Sequence, residues 1–331
     1  MSQFDDASIL ITGGTGSFGK AFVHHLLTNH KPRVVTVFSR DELKQHEMRQ
    51  EFDDHPNLRW FLGDVRDLPR LHRAFRDVDF VVHAAALKQV DSAEYNPFEF
   101  VKTNVMGSQN VIDAAIDAGV KKVVALSTDK ASSPINLYGA TKLTADKLFV
   151  AGNNYADIRK TAFCVVRYGN VMGSRGSVIP LWVRRVKDGQ PIPLTDSRMT
   201  RFWISLEQAV LFVEAAFADM QGGELFVPRI PSMRLLDLVE AIAPGHPVHE
   251  IGLRPGEKLH EEMISTDDCH RTIRQQSRFV VKPTIANWGF ASVKGEPVPE
   301  GFSYRSDTND LWLGVEAMQR LLADESPHWS E

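Results

Sequence analysis

Ile9-Leu10-Ile11-Thr12-Gly13-Gly14-Thr15-Gly16-Ser17-Phe18-Gly19 joins a β-branched apolar run to glycines spaced G-x-x-G-x-x-G. The run reads as a strand covered on both faces, and Gly13, Gly16 and Gly19 read as a turn that opens directly into a helix. Such a turn meets the needs of a pyrophosphate: a tight bend, a backbone approach with no Cβ in the way, and N–H groups with the helix dipole aimed at the anion. Spaced glycines also occur in ordinary turns, and it is their place after the first strand that makes them a dinucleotide fingerprint. Gly13, Thr15, Gly16, Ser17, Phe18 and Gly19 are expected to line that site.

Outward from this turn the same texture recurs. Val34-Val35-Thr36-Val37-Phe38, Leu58-Arg59-Trp60-Phe61-Leu62, Phe80-Val81-Val82 and Val123-Val124-Ala125-Leu126 are strand-like, with helical stretches over 20–29, 68–76 and 97–118 among them. This alternation implies right-handed βαβ crossovers and an α/β fold: a doubly wound parallel sheet of the Rossmann type, which binds ligands at its strand C-termini. After Tyr168 glycine and proline become frequent, strands shorten, and helical patterns return over 206–218 and 235–242. The expected organisation is a dinucleotide-binding domain over 1–168 that also carries the catalytic residues, then a smaller C-terminal α/β substrate lobe over 169–283, with some segments returning to the sheet. A tail with a helix follows over 284–331, irregular between about 283 and 306.

With 331 residues, 43% hydrophobic and 24% charged, the chain can bury a full core. A net charge of -4 and a pI near 6.3 give no electrostatic case for a nucleic-acid backbone or an anionic membrane. A small-molecule partner is expected instead. Residues 1–7 have neither the basic start nor the apolar run of a signal peptide, and no later stretch approaches the ~20 apolar residues that span a bilayer, so a cytoplasmic location is expected. Cys164 and Cys269 lie far apart without Cys/His ligand spacing, which indicates neither a disulfide framework nor a zinc site. No metal cluster is apparent, and His24 and His25 read as surface residues of the first helix.

An acid about 20 residues beyond the glycines would hold a ribose 2′-hydroxyl. Here that place is taken by Ser39 and Arg40. A guanidinium can fork onto a 2′-phosphate that a carboxylate would repel, so Arg40, helped by Lys44, points to NADP; Asp41 could instead turn inward. Asp64 and Val65 follow the third strand and Ala84, Ala85 and Ala86 the fourth, leaving room for adenine and ribose, with Asp64 set to accept from the adenine amino group.

The fifth strand runs into Ser127-Thr128-Asp129-Lys130, and Tyr138-Gly139-Ala140-Thr141-Lys142 follows. The Y-x-x-x-K spacing puts Tyr138 and Lys142 on one helix face, where the ammonium would lower the phenol pKa from ~10 and make a general base near neutral pH. Such a base takes the proton of a sugar hydroxyl while the carbon loses hydride to a nicotinamide, with Thr128 hydrogen-bonding the same oxygen.

Glycine loop, Thr128, Tyr138 and Lys142 together resemble the extended short-chain dehydrogenase/reductases that modify nucleotide sugars. Ser39-Arg40-Asp41-Glu42-Leu43-Lys44-Gln45, Ala85-Ala86-Leu87-Lys88, Ser127-Thr128-Asp129-Lys130, Arg167-Tyr168-Gly169-Asn170-Val171 and Arg254-Pro255-Gly256-Glu257-Lys258-Leu259 are more specifically similar to the soluble, inverting UDP-N-acetylglucosamine 4,6-dehydratases of bacterial glycan pathways. The resemblance implies oxidation at C4 with bound NADP, loss of water across C5 and C6, and return of hydride to C6. It assigns Lys130 as the base for the C5 proton and Asp129 as the acid for the departing C6 hydroxyl, a division that needs both groups desolvated and coupled. Lysine at 130, where deoxyhexose dehydratases carry glutamate, favours the N-acetylglucosamine branch. By the same resemblance Arg254 clamps the diphosphate and Glu257 holds a ribose hydroxyl, chemistry that suits a guanidinium and a carboxylate. Lys88, Thr128, Asn170, Val171 and Arg175 complete the substrate set. UDP-N-acetylglucosamine is thus the implied partner and a homo-oligomer the implied assembly. A nucleotide-sugar 4-epimerase shares everything but the C5 base; a non-catalytic NADP sensor would lack the tyrosine, and a simple reductase would consume external NADPH.

Overall fold

The structure, a computed structural model, describes residues 2–156, 160–173, 177–286 and 288–325. The apolar runs of the first half pair as parallel strands: β1 (Ser8–Thr12), β2 (Val34–Ser39), β3 (Leu58–Leu62), β4 (Phe80–His83), β5 (Lys122–Thr128) and β6 (Ala162–Tyr168). Leu10 of β1 lies between Thr36 of β2 and Val81 of β4, and Val124 of β5 lies opposite Cys164 of β6. Every residue of β1 and β6 is buried, because helices cover both faces.

Those helices are α1 (Ser17–Asn29), α2 (Glu42–Glu51), α3 (Leu68–Ala74), α4 (Val90–Tyr95), α5 (Pro97–Phe100), α6 (Gly107–Ala118) and α7 (Leu137–Gly152). The stretch 97–118 was expected as one helix. A π-helical turn, Val101–Met106, interrupts it. That wider turn carries the buried Asn104, whose amide grips both backbone groups of Leu87 (2.8 and 2.9 Å) and the Thr141 hydroxyl (3.1 Å). The loop after β4 is thereby fastened to α7 beside the site.

The second half begins with β7 (Asn170–Val171), α8 (Val178–Lys187), β8 (Ile192–Leu194), β9 (Thr200–Ile204) and α9 (Leu206–Asp219). It continues through β10 (Leu225–Pro228), β11 (Ser232–Arg234), α10 (Leu235–Ile242), β12 (Val248–Glu250) and β13 (Glu262–Ile264). Then come β14 (Thr272–Arg274), β15 (Arg278–Val281), β16 (Glu296–Pro297), β17 (Tyr304–Arg305) and α11 (Val315–Glu325). The main sheet has ten strands in the order β16-β14-β15-β10-β6-β5-β4-β1-β2-β3. Strand β10 runs parallel to β6, whereas β15, β14 and β16 extend the sheet antiparallel. Segments from both 169–283 and the tail therefore lie in the main sheet.

A second apolar core, including Trp182, Trp203, Met233, Leu238 and Met318, joins α8, α10 and α11. Strand β17 pairs with β13, so the irregular tail ends by bracing the segment that follows Arg254. Cys164 and Cys269 are free thiols. His24 is exposed, but His25 is half-buried and bonds Glu214 of α9 at 2.7 Å, so only the first of the two fits the surface reading. Among the described residues, His25, His30 and Glu214 are the one group of potential metal ligands whose atoms come within 4.8 Å of one another, at the end of α1 away from the strand C-termini. No helix among the described residues is long and apolar enough to cross a membrane.

Candidate active site

Each parallel strand of the first half ends at one cleft of about 730 Å³, where a doubly wound sheet is expected to bind ligand. Its dinucleotide end is made mostly of backbone. Gly13 has φ +67°, and a Cβ there would stand 2.8 Å from the backbone nitrogen of Ala85, so only glycine lets the loop and the Ala84–Ala86 segment approach this closely. The Thr15 and Ser39 hydroxyls, 2.9 Å apart, tie the loop to the end of β2. Residues 13, 15–19, 39–40, 44, 64–65 and 84–86 all line the cleft. The bare backbone against the start of α1 is the cradle a pyrophosphate requires, so this end fits a dinucleotide.

Asp41 is not among the lining residues. It caps α2, accepting from the Lys44 backbone at 3.1 Å and pairing with the Lys44 ammonium at 3.0 Å, a reciprocal contact that holds its carboxyl below the usual range. The Arg40 guanidinium is half-exposed and lies 3.9 Å from Asp64. Asp64 is more committed than the sequence suggested. Its two oxygens accept from the Arg66 backbone (3.0 Å) and guanidinium (2.7 and 3.0 Å), leaving less capacity for an adenine amino group.

At the other end, Asp129 and Lys130 leave β5 in a tight turn, Asp129–Ala131, that begins with the Lys130 backbone donating to the Thr128 hydroxyl. Helix α7 presses on this turn. A Cβ on Gly139 would lie 2.2 Å from the Lys130 carbonyl oxygen, so the glycine after Tyr138 is what lets the tyrosine reach the turn. Asn136 caps α7 (2.7 Å to the Gly139 nitrogen) and donates to the Gly256 carbonyl at 2.8 Å, which docks the Arg254–Lys258 segment alongside.

A chain of polar contacts crosses this end. Thr128 hydrogen-bonds Tyr138 and donates to Asp129 Oδ1 at 3.0 Å, which also receives the Lys130 Nζ at 3.0 Å. The Lys130 Nζ lies 3.3 Å from Glu261 Oε1, and that oxygen lies 3.8 Å from Arg201 Nε. Asp129 and Glu261 are buried to 1% and 2% exposure. Burial pushes the Asp129 carboxyl up, against the pull of Lys130.

Two electrostatic expectations fail. Burial pushes the Tyr138 phenol up to about 12, although the Lys130 charge and the Thr128 hydrogen bond draw it down. Lys142 is not the lowering influence, because its ammonium donates to the Leu126 carbonyl at 2.7 Å and is itself depressed by burial. Lys130 in turn holds its proton above the usual lysine range. Burial works to strip that proton, but Asp129 and Glu261 outweigh it, which favours the ammonium over the neutral amine a base requires.

On the substrate side, Lys88, Asn170, Val171, Arg254 and Glu257 line the same cleft, and burial lowers the Lys88 ammonium. Arg175 lies outside the described residues. Arg254 Nε donates to Glu257 Oε1 at 3.0 Å, so these two pair with each other. Glu257 Oε2 and Asn170 Oδ1 are buried acceptors with no protein partner. Unsatisfied buried acceptors cost about 1–3 kcal/mol each, so both suit a ligand that brings hydroxyl or amide donors. Glu261 and Arg201 were missed from sequence. The adjoining Arg254-Pro255-Gly256-Glu257 motif is the nearest signal to Glu261 and lies in the same loop.

Sheet order, glycine cradle and the Thr128–Tyr138–Lys142 set define the class: a Rossmann-fold protein of the short-chain dehydrogenase/reductase type. Residues 9–283 match the family described as polysaccharide biosynthesis protein, and the chain belongs to that family. It is 53% identical over 329 residues (97% of this chain, 98% of the relative) to a UDP-N-acetylglucosamine 4,6-dehydratase (inverting) of Campylobacter jejuni subsp. jejuni serotype O:2. A UDP-glucose 4-epimerase of Rickettsia canadensis is 42% identical over 97% of this chain and 96% of its own length. The X-ray structure of Pen from Bacillus thuringiensis superposes with a TM-score of 0.91 at 40% identity, covering 98% of this chain and 99% of that one.

Proposed function

We propose that this protein is a UDP-N-acetylglucosamine 4,6-dehydratase that inverts C5, yielding a UDP-2-acetamido-2,6-dideoxy-hexos-4-ulose for bacterial glycan or nonulosonic acid synthesis. The observation that carries the reading is the Asp129–Lys130 pair, 3.0 Å apart beside Tyr138, with Asp129 buried and Lys130 half-buried, and the 53% identity to an enzyme of that name supports it. NADP is the proposed cofactor. With Ser39 ending β2 and Asp41 turned to cap α2, neither position sets a carboxylate against a 2′-phosphate, and the Asp64 carboxylate near Arg40 is held mainly by Arg66. Gly13, Thr15, Gly16, Ser17, Phe18 and Gly19 would hold its pyrophosphate. When bound, its nicotinamide supplies the acceptor for hydride from C4 and the donor of hydride to C6.

The residues do the proton work. Tyr138 takes the C4 hydroxyl proton as the phenolate, the form that the Lys130 charge and Thr128 favour against burial, and Thr128 hydrogen-bonds the same oxygen. The ketone at C4 then acidifies the C5 proton, which Lys130 removes while Asp129 protonates the departing C6 hydroxyl. Arg254 and Lys88 bind the diphosphate and sugar, and Glu257 and Asn170 accept hydroxyl or amide protons through their unpartnered oxygens. We also read the protein as a cytoplasmic homo-oligomer acting on free nucleotide sugar.

The epimerase reading keeps one support, the 42% identical relative of that name. Incubation with UDP-N-acetylglucosamine followed by mass spectrometry separates the two. The expected product has lost one water; a C4 isomer of unchanged mass would replace the dehydratase with an epimerase.

A further inference from the structure

The geometry poses a difficulty for an elimination that begins with proton removal: two carboxylates, Asp129 at 3.0 Å and Glu261 at 3.3 Å from Lys130 Nζ, favour a proton on the amine that must act as base. Asp129, its partner at 3.0 Å, must in turn deliver a proton to the leaving hydroxyl. One proton, moved from Lys130 Nζ to Asp129, satisfies both needs. From that neutral pair the C5–H bond breaks and its proton goes to Lys130 Nζ. The electron pair left at C5 forms the C5=C6 double bond, the C6–O bond breaks, and the hydroxyl leaves as water with the Asp129 proton. The pair ends as ammonium and carboxylate, an ion pair across the 3.0 Å contact.

A third charge is built against this pair. Glu261 lies 3.3 Å from Lys130 Nζ and is 2% exposed. Its backbone nitrogen donates to the Ser306 hydroxyl (2.9 Å) and its carbonyl accepts from the Ser306 nitrogen (2.8 Å), so the tail fixes its position. Arg201, anchored to the Thr200, Leu259 and Lys258 carbonyls at 2.7 to 3.1 Å, turns its Nε toward the same carboxylate oxygen. A buried glutamate held this rigidly next to a catalytic lysine is more than a surface ion pair.

We propose that Glu261 is a positioning residue for the elimination: its carboxylate, braced by Arg201 and Ser306, stabilises the ammonium that Lys130 becomes on taking the C5 proton, and so makes Lys130 a stronger base. The inference rests on the dehydratase reading above. It gives the cluster a division of labour in which Asp129 exchanges the proton with Lys130 while Glu261 stays ionised. The other groups facing the cluster are Tyr138 and Thr128 from the β5–α7 side, Arg201 from β9, and Lys258 from the loop before Glu261, whose ammonium donates to the Ser132 carbonyl at 2.6 Å.

The test compares wild type, Glu261→Gln and Glu261→Asp. Loss of a charge this close to Lys130 should move the acid limb of the dehydration pH profile down by about one unit or more. Dehydration above that limb should slow, with cofactor affinity unchanged. Glu261→Asp, which keeps the charge, should hold the limb nearer to wild type. A Glu261→Gln enzyme with the wild-type limb would overturn the proposal. A readout independent of turnover uses labelled lysine, with the Lys130 NMR signal assigned by its loss in Lys130→Arg. The amine should titrate at lower pH in Glu261→Gln, and an unmoved titration would also overturn the proposal. If Glu261→Gln does not fold, labelled-glutamate carboxyl signals in wild type decide, since a Glu261 that is protonated at neutral pH cannot act as described. Absence of water loss by wild type would instead remove the dehydratase reading, and the NMR titrations would still judge Glu261.

Discussion

The two ends of the cleft are built by different means. At the dinucleotide end, contiguous backbone makes the site: a glycine turn, the start of α1, and the Ala84–Ala86 segment packed against Gly13. At the elimination end, side-chain charges make it, with Asp129 and Lys130 from one turn and Glu261 and Arg201 from two distant segments. The first should tolerate side-chain changes but not a Cβ where backbones meet. The second should tolerate little change of charge, because in a buried cluster each ion is held by the others.

The largest effect should separate the two ends outright. Lys130→Ala should retain NADP yet lose about 10²- to 10⁴-fold in dehydration, the usual worth of a positioned base; unchanged water loss in product mass spectra would remove Lys130 from the chemistry. Tyr138→Phe should fall by a similar factor at the earlier step, read as loss of transient cofactor reduction under single turnover.

Gly139→Ala probes where backbone supports charge. Its Cβ would meet the Lys130 carbonyl at 2.2 Å, so α7 or the turn must shift, at a cost of about 1–3 kcal/mol. Urea denaturation should report that loss, with activity falling further than stability. A variant of normal stability and turnover would show that the helix does not set the position of the turn.

Beneath the dinucleotide end, buried His83 bonds Thr12 (2.8 Å) and Ser108 (3.3 Å), and burial lowers it from 6.5 to about 3. The unfolded chain therefore binds a proton that the native state refuses between those values, so this contribution is whole above 6.5 and is lost as pH falls below it. Between about pH 7 and pH 5 it should remove about 2 kcal/mol of stability. His83→Asn should flatten that slope in paired urea titrations, and an equal slope in both proteins would count against the assignment.

Arg40→Ala should have the smallest effect: NADP weakened roughly ten- to hundredfold, as for one charge-assisted contact, with NAD nearly unchanged. Equal losses for both cofactors by calorimetry would mean that Arg40 does not read the phosphate.

Local pattern made much of this legible. The strands of the first half and the glycine turn announce themselves because their signals, apolar runs and spaced glycines, lie within a few residues. The π-helical turn at Val101–Met106 carries no such signature, and neither does the recruitment of Leu225–Pro228 and Arg278–Val281 into the main sheet. Spacing alone put Tyr138 beside Lys142 but missed the burial that outweighs any neighbouring cation. Glu261 is one acid among 42 in the sequence. Nothing local to it foretells the Ser306 clasp or the Lys130 contact.

What the sequence determined by itself was the alternation of strand and helix, the turn after β1 and the residue types at the strand ends, because backbone preference and periodicity act over short range. Only the tertiary structure decided which charges lie together, and with that which way burial and neighbouring charge push the protons of Tyr138, Asp129, Lys130 and Glu261. Desolvation and Coulomb energy depend on distance and burial, which are set by chain segments far apart in sequence.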